Sequence, residues 1–194
     1  MSRLDLIVGP NGAGKSTFVQ KVIIPSWPAT VFVNADEIAR ERWPEEAAAR
    51  SHEAARVAAA TRARLIEIRR PFIAETVFSH PSELELIADA RAQGYFVALH
   101  VLMVPEELAG ARVAHRVVAG GHDVPEEKIR ARYARVWPLV AQAAEQAHTT
   151  GFWDNASFDG PRKVFTLTEG LAVGRPSWPT WTPEALTNRW PNSS

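Results

Sequence analysis

The chain has 194 residues, of which 46% are hydrophobic and 23% are charged, a composition that predicts one globular domain with its own apolar core. Lysine plus arginine and aspartate plus glutamate both number 22, so the net charge is zero, and the basic excess typical of nucleic-acid-binding proteins is missing. The absence of cysteine excludes a disulfide scaffold, a thiol nucleophile and a cysteine-ligated metal site.

Segments rich in β-branched and apolar residues alternate with helical patterns along the chain. Strands are predicted, in chain order, at residues 4–8, 30–33, 72–78, 95–104, 151–154 and 164–168. Helices are predicted at residues 15–24, 34–42, 44–70, 83–93, 105–119 and 124–150. This alternation predicts an α/β fold, a three-layer sandwich in which helices flank a mostly parallel sheet of five or six strands.

The C-terminal segment differs in composition from the rest of the chain. Residues 170–194 contain four prolines and three of the seven tryptophans, with little regular periodicity. We predict one domain over residues 1–169, with a lid around residues 105–135. The Pro/Trp-rich tail over 170–194 is expected to pack on that domain through Trp178, Trp181 and Trp190.

Neither a secretory signal peptide nor a membrane span is predicted. The first apolar segment, residues 4–8, has no charged region before it and no cleavage site after it. The longest apolar stretch, around residues 98–105, is interrupted by His100 and is far too short to cross a bilayer. We therefore expect a soluble, cytoplasmic protein.

A phosphate-binding motif lies between the first strand and the first helix. Residues 9–16, Gly-Pro-Asn-Gly-Ala-Gly-Lys-Ser, match G-x-x-x-x-G-K-[ST] at every fixed position, in the strand–helix context that the motif requires. Glycines let backbone N–H groups turn toward phosphate oxygens, while the lysine reaches the β- and γ-phosphates and the serine ligates Mg²⁺. The residues predicted to bind Mg·ATP are Gly9, Asn11, Gly12, Ala13, Gly14, Lys15, Ser16 and Thr17, with Ser16 as the metal ligand.

Two carboxylates follow predicted strands and are candidates for chemistry. Asp36 comes after the second strand, where it can accept a proton from a substrate hydroxyl; alternatively Asp36, or Asn34, only caps the next helix. Glu75 lies near the end of the third strand, where it can hold Mg²⁺ through water or bind substrate hydroxyls; alternatively it is a solvent-facing strand end. Ligands of such sheets bind outside the carboxyl ends of the strands, where both residues are expected.

Arginines near a diglycine predict a lid over the phosphates. Arg112 and Arg116 are four residues apart and so share one helix face, and Gly120-Gly121 is a plausible hinge. Arginines in such a lid neutralise charge during phosphate transfer. The alternative for each of them is a solvated helix face.

The ordered set of motifs resembles the zeta toxin family of P-loop kinases. The resemblance covers roughly residues 3–160. It is carried by Gly9-Pro10-Asn11-Gly12-Ala13-Gly14-Lys15-Ser16-Thr17, Asn34-Ala35-Asp36, Glu75-Thr76-Val77-Phe78-Ser79 and Arg116…Gly120-Gly121-His122…Val124-Pro125. It implies a P-loop kinase-like fold and an activity that phosphorylates UDP-N-acetylglucosamine.

The resemblance also implies residue roles and a partner. Lys15 would bind the transferred phosphate, Ser16 the Mg²⁺, and Asp36 would act as the base on a sugar hydroxyl. Glu75, Thr76 and Ser79 would line the acceptor site. Arg116 and Arg112 would be lid arginines, whereas the family's second phosphate-contacting arginine has no clean match, and His122 and Arg130 are the candidates nearest to it. Members of the family pair with an antitoxin protein.

The sequence therefore predicts an ATP- and Mg²⁺-dependent kinase acting on a hydroxyl of a small molecule. Alternatives within this class are kinases acting on a nucleoside, an antibiotic or a polynucleotide 5′-hydroxyl, the last disfavoured by the zero net charge. An alternative of another class is a regulatory protein that binds or hydrolyses a nucleotide as a signal.

Overall fold

A computed structural model describes residues 2–118 and 126–192, and these residues build a seven-stranded sheet with helices on both faces. The spatial order of the strands is β2-β3-β1-β4-β5-β6-β7. The first five are mutually parallel, β6 pairs antiparallel with β5, and β7 pairs antiparallel with β6. The strands are β1 (Arg3–Val8), β2 (Val31–Asn34), β3 (Phe72–Thr76), β4 (Phe96–Met103), β5 (Thr149–Asp154), β6 (Arg162–Thr168) and β7 (Leu171–Ala172). The predicted α/β fold with a mostly parallel sheet is confirmed.

The seventh strand was not predicted because it is only two residues long. It pairs with β6 through a tight turn in which Glu169 and Gly170 both have positive φ, 49° and 74°. Both of its residues are exposed, so they show no buried alternation by which a strand could be recognised.

In the described part of the chain, six helices follow the predicted order, and a short seventh lies in the C-terminal segment, where no helix was predicted. They are α1 (Lys15–Phe18), α2 (Ala35–Arg42), α3 (Ser51–Glu67), α4 (Ser82–Ala92), α5 (Glu106–Val118), α6 (Glu126–Gln146) and α7 (Glu184–Thr187), with α1 continuing through a π-helical turn, Val19–Ile23. The helix predicted to reach residue 150 ends at Gln146, because β5 begins at Thr149. The helix predicted over 44–70 begins only at Ser51, and residues 44–50 form turns. That segment is mostly exposed, and helix propensity without an apolar face to bury does not maintain a helix.

Crossover direction places the helices in two layers. The connection from β1 to β2 passes over β3 in one direction. The connections from β2 to β3, from β3 to β4 and from β4 to β5 all run in the other. Since parallel crossovers are right-handed, α1 lies on one face of the sheet, and α3, α4 and α6 lie on the opposite face. This arrangement brings the P-loop and the ends of β2 and β3 to one edge of the sheet.

The C-terminal segment completes the core beside β5 and β6. The Trp178 ring lies 5.2 Å from both Phe152 and Phe165, and the Trp190 ring lies 5.5 and 5.9 Å from the same two rings. The Trp178 indole also donates a 2.7 Å hydrogen bond to the Trp190 carbonyl, and Trp181 packs against the same core. Within the described residues, no helix combines the length and apolarity needed to cross a bilayer.

Candidate functional site

The P-loop joins β1 to α1 through three glycines that no other residue could replace without strain. Gly9, Gly12 and Gly14 have φ values of 146°, 79° and 83°, a region that side chains rarely adopt. A Cβ on Gly9 would lie 2.3 Å from the Leu102 carbonyl oxygen, and one on Gly12 would lie 2.5 Å from the Ala109 carbonyl oxygen. The loop is therefore fixed against β4 and α5 by close backbone contacts.

The Lys15 side chain folds back over this loop. Its ammonium group donates to the Gly9 and Pro10 carbonyls at 2.9 and 3.0 Å, and the residue is buried. Ser16 and Thr17, the next two residues, are exposed at the same edge. A buried ammonium group folded over a glycine-rich loop suits a polyphosphate.

A clamp that the sequence did not reveal holds the P-loop from the β5 side. The Asn155 amide donates to the Ala13 carbonyl at 2.7 Å, and the Arg112 guanidinium donates to the Asn155 and Gly12 carbonyls at 3.0 and 3.4 Å. Asn155 follows the end of β5, so a strand end distant in sequence reaches the loop. The contact could be predicted only from the strand order, which places β5 beside β4.

Glu75 lies beside the P-loop serine. It pairs in register with Ile7 of β1 and Asn34 of β2, at the carboxyl end of β3. Its carboxylate accepts from the Ser16 hydroxyl at 2.9 and 3.1 Å and from the Asn34 amide at 2.8 Å. Burial raises the pKa of the Glu75 carboxyl, and the charge of Lys15 and the hydrogen bond from Ser16 offset this only in part. A half-buried carboxylate joined to the P-loop serine is placed to bind a cation.

The cap of α2 is Asn34 and not Asp36. Asn34 is the N-cap of α2, and its side-chain oxygen accepts from the Asp36 backbone N–H at 2.8 Å. The Asp36 carboxylate is thus free of the capping role and lies exposed in the first turn of α2. Its charge is near enough to Glu75 to raise the pKa of that carboxyl further.

Thr76 and Ser79, predicted for the acceptor site, lie on the connection from β3 to α4. The Thr76 hydroxyl is hydrogen-bonded to the Glu83 carboxylate and accepts from the Phe78 N–H at 3.3 Å. Phe78 is buried with φ of 63°, so the chain turns sharply after the strand. Ser79 is half-buried on this turn.

The lid residues are only partly brought to the site. Arg112 contacts backbone carbonyls of the P-loop and of the loop after β5, as described above. Arg116 belongs to α5, one turn further on, but its side chain lies outside the described part of the chain. His122 lies outside the described residues, and Arg130 is exposed on α6.

The donors at this edge fit a magnesium ion. Mg²⁺ prefers oxygen ligands and retains several of its waters, so it needs only one or two protein groups. The Ser16 hydroxyl and the Glu75 carboxylate are 2.9 Å apart beside the phosphate loop, and both offer oxygen. The fit to Mg²⁺ rests on this donor set.

A groove of about 240 Å³ lies elsewhere, beside the first turn of α5. It is lined by Pro105, Glu106, Glu107, Tyr133, Trp181 and Pro183. None of these residues belongs to the P-loop or to the Glu75 cluster. Since the phosphate site is an open edge with converging polar groups, we take that edge, and not this groove, as the functional site.

Comparison with protein families identifies the chain. A family model described as an AAA domain matches residues 4–139, more than half of the sequence. The chain belongs to this AAA domain family. The match includes the P-loop, Asp36, Glu75 and α5, whereas Asn155 lies beyond it. A search of curated proteins finds no match.

Solved structures show a P-loop kinase-like fold for this AAA domain protein. A complex of AvrRxo1-ORF1 with AvrRxo1-ORF2, containing sulphate ions, matches with a TM-score of 0.72 at 15% identity, over 99% of this chain and 64% of that one. This chain thus spans slightly less than two thirds of that protein. Another structure of the complex contains ATP, with a TM-score of 0.70 at 15% identity over the same shares.

Two further structures have the same fold. The PezAT chromosomal toxin–antitoxin system of Streptococcus pneumoniae gives a TM-score of 0.63 at 10% identity, covering 85% of this chain and 72% of that one. A shikimate kinase from Acinetobacter baumannii, in complex with shikimate, gives 0.52 at 19% identity, covering 77% and 83%. At these identities the similarity establishes the fold.

Proposed function

We propose that this AAA domain protein is a kinase that transfers the γ-phosphate of Mg·ATP to a hydroxyl of a small molecule. The observation that carries the proposal is the cluster at the sheet edge, where the Glu75 carboxylate is hydrogen-bonded to the Ser16 hydroxyl and Asp36 stands beside it with a free carboxylate. A nucleotide-binding loop, a metal-binding pair and a separate base are the parts that phosphoryl transfer needs.

The residues have distinct tasks in this mechanism. Lys15 exchanges its two carbonyl contacts for the β- and γ-phosphate oxygens. Asp36 accepts the proton of the acceptor hydroxyl as that oxygen bonds to the γ-phosphorus and the bond from phosphorus to the β–γ bridging oxygen breaks, releasing ADP. Ser16 and Glu75 would hold Mg²⁺, which would supply positive charge against the phosphate oxygens. Arg112 keeps α5 and the loop after β5 aligned with the P-loop.

The acceptor class follows from the resemblance and from the nature of the similar structures. We propose a UDP-sugar such as UDP-N-acetylglucosamine, because the zeta toxin motifs are present and the PezAT structure shares the fold. We also propose an antitoxin protein as partner, since PezAT is a toxin–antitoxin system. The reaction would take place in the cytoplasm, where ATP is abundant.

The test is transfer of labelled phosphate from ATP, with Mg²⁺, into a panel of UDP-sugars, nucleosides, aminoglycoside-type antibiotics and oligonucleotides. Wild type is compared with Asp36→Asn and with Asp89→Asn, a matched change at an exposed position on α4. A labelled acceptor formed by wild type and Asp89→Asn, and reduced about 100-fold or more in Asp36→Asn, supports the kinase. ATP binding with slow hydrolysis equal in all three proteins would instead favour a nucleotide switch.

A further inference from the structure

The Asn34 side chain accepts one hydrogen bond and donates another. Its oxygen accepts from the Asp36 N–H at 2.8 Å, and its nitrogen donates to the Glu75 carboxylate at 2.8 Å. The residue is only 5% exposed and is the last residue of β2. One buried amide therefore joins the helix that carries the proposed base to the carboxylate beside the proposed metal ligand.

Helix capping alone does not account for an amide at this position. Aspartate and serine cap helices about as well as asparagine does. Aspartate would place a second carboxylate against Glu75, whereas serine, with a single hydroxyl on a shorter side chain, cannot reach both partners. Only an amide carries an acceptor and a donor on the same fork.

The bond to Glu75 has a directional consequence. The Glu75 oxygen that receives the Asn34 donor is also the one nearer to the Ser16 hydroxyl, at 2.9 Å compared with 3.1 Å for the other oxygen. Asn34 thus restrains the carboxylate in the orientation that faces Ser16. The groups around Asn34 come from three different elements: Ser16 from α1, Asp36 from α2 and Glu75 from β3.

We propose that Asn34 is a positioning residue. It couples the Glu75 carboxylate to the first turn of α2, so that the metal-binding carboxylate and the proposed base are held on the same side of the γ-phosphate. The proposal rests on the kinase function proposed above. Removing the Asn34 donor should weaken Mg²⁺-dependent binding and transfer while leaving the fold and metal-free nucleotide binding intact.

The discriminating variant is Asn34→Ser, which retains a capping oxygen but loses the donor to Glu75. Asn34→Ala removes both, and Asn188→Ser, at an exposed position after α7, is the matched control. The first readout requires no catalysis: the affinity for a fluorescent ADP analogue is titrated with Mg²⁺ and with EDTA. Melting midpoints are measured for every variant, and kcat and KM for ATP are measured where transfer is detected.

We expect Asn34→Ser to remain folded, with a melting midpoint only about 2–4 °C below wild type for the lost hydrogen bond. It should keep the EDTA affinity of wild type and lose about 10- to 100-fold of its Mg²⁺-dependent affinity gain or its kcat. In a Glu75→Ala background the same change should add almost nothing, because the carboxylate that Asn34 restrains is absent. Equal Mg²⁺ dependence in wild type and Asn34→Ser would overturn the proposal. Absence of transfer by wild type would refute the kinase function only, since the binding titration still tests Asn34.

Discussion

Replacing Glu75 by glutamine should change stability and activity in opposite directions. Glutamine has the shape of glutamate, and its amide can keep both contacts, accepting from Asn34 and donating to the Ser16 oxygen. The substitution therefore removes one negative charge and little else from a cluster whose distances are 2.8 to 3.1 Å.

The stability effect follows from the direction of the Glu75 pKa. Burial raises the pKa of this carboxyl above the ordinary value of 4.5, so the folded protein favours the neutral form. Wild type therefore loses stability as the pH rises from about 4.5 through the raised pKa, and Glu75→Gln does not. In EDTA at pH 8, above the raised pKa, the variant should therefore be more stable than wild type, with a higher melting midpoint.

The effect on metal-dependent chemistry should have the opposite sign. Without the charge, Mg²⁺ should raise the melting midpoint less in the variant than in wild type, and phosphate transfer should fall about 10- to 100-fold. Differential scanning calorimetry in EDTA and in Mg·ADP measures the first effect, and Glu85→Gln, at an exposed position on α4, is the control. A lower midpoint for Glu75→Gln in EDTA, or an unchanged response to Mg²⁺, would refute this reasoning.

Three further substitutions test the contacts that hold the P-loop and the sheet. Gly14→Ala would force a positive φ on alanine and place its Cβ 2.5 Å from the Asn155 amide. Nucleotide affinity, measured by fluorescence titration, should therefore fall about tenfold or more. An affinity equal to that of wild type would contradict this prediction. Asn155→Ala removes the donor to the Ala13 carbonyl and should cost about 1 kcal/mol in urea unfolding, with no loss if the clamp is unimportant. Burial opposes ionisation of Asp5, but hydrogen bonds from Arg3 and His100 outweigh it and lower the pKa of Asp5 below 3.8. Asp5→Asn should therefore be less stable than wild type at pH 7, and this loss of stability should shrink as the pH falls through the lowered pKa. A loss of stability that does not depend on pH would contradict the prediction.

The sequence predicted those features that local physics determines. The P-loop lies between β1 and α1 because a buried apolar strand, three glycines and a helical pattern follow one another in the chain. The alternation of strands and helices predicted the layered sheet, and the strand ends predicted that Asp36 and Glu75 would meet the loop. The roles of these side chains remain predictions that the experiments above address.

Contacts between distant segments could not be predicted in the same way. Asn155 reaches Ala13 across 142 positions, and Arg112 reaches Gly12 across 100, through a strand order that no local pattern encodes. Which of Asn34 and Asp36 caps α2 could also be decided only from the geometry, since both residue types can cap a helix. For the same reason the sequence could not predict the hydrogen bond between Glu75 and Ser16.

The fate of the γ-phosphate in wild-type protein tests the central claim most directly. ATP labelled at the γ-position is incubated with Mg²⁺, the protein and a UDP-sugar or cell-extract metabolite pool, and the label is separated into phosphorylated metabolite and inorganic phosphate. The account predicts label on a hydroxyl-bearing acceptor, at a rate well above release of inorganic phosphate. Label found only as inorganic phosphate, whatever acceptor is offered, would contradict it.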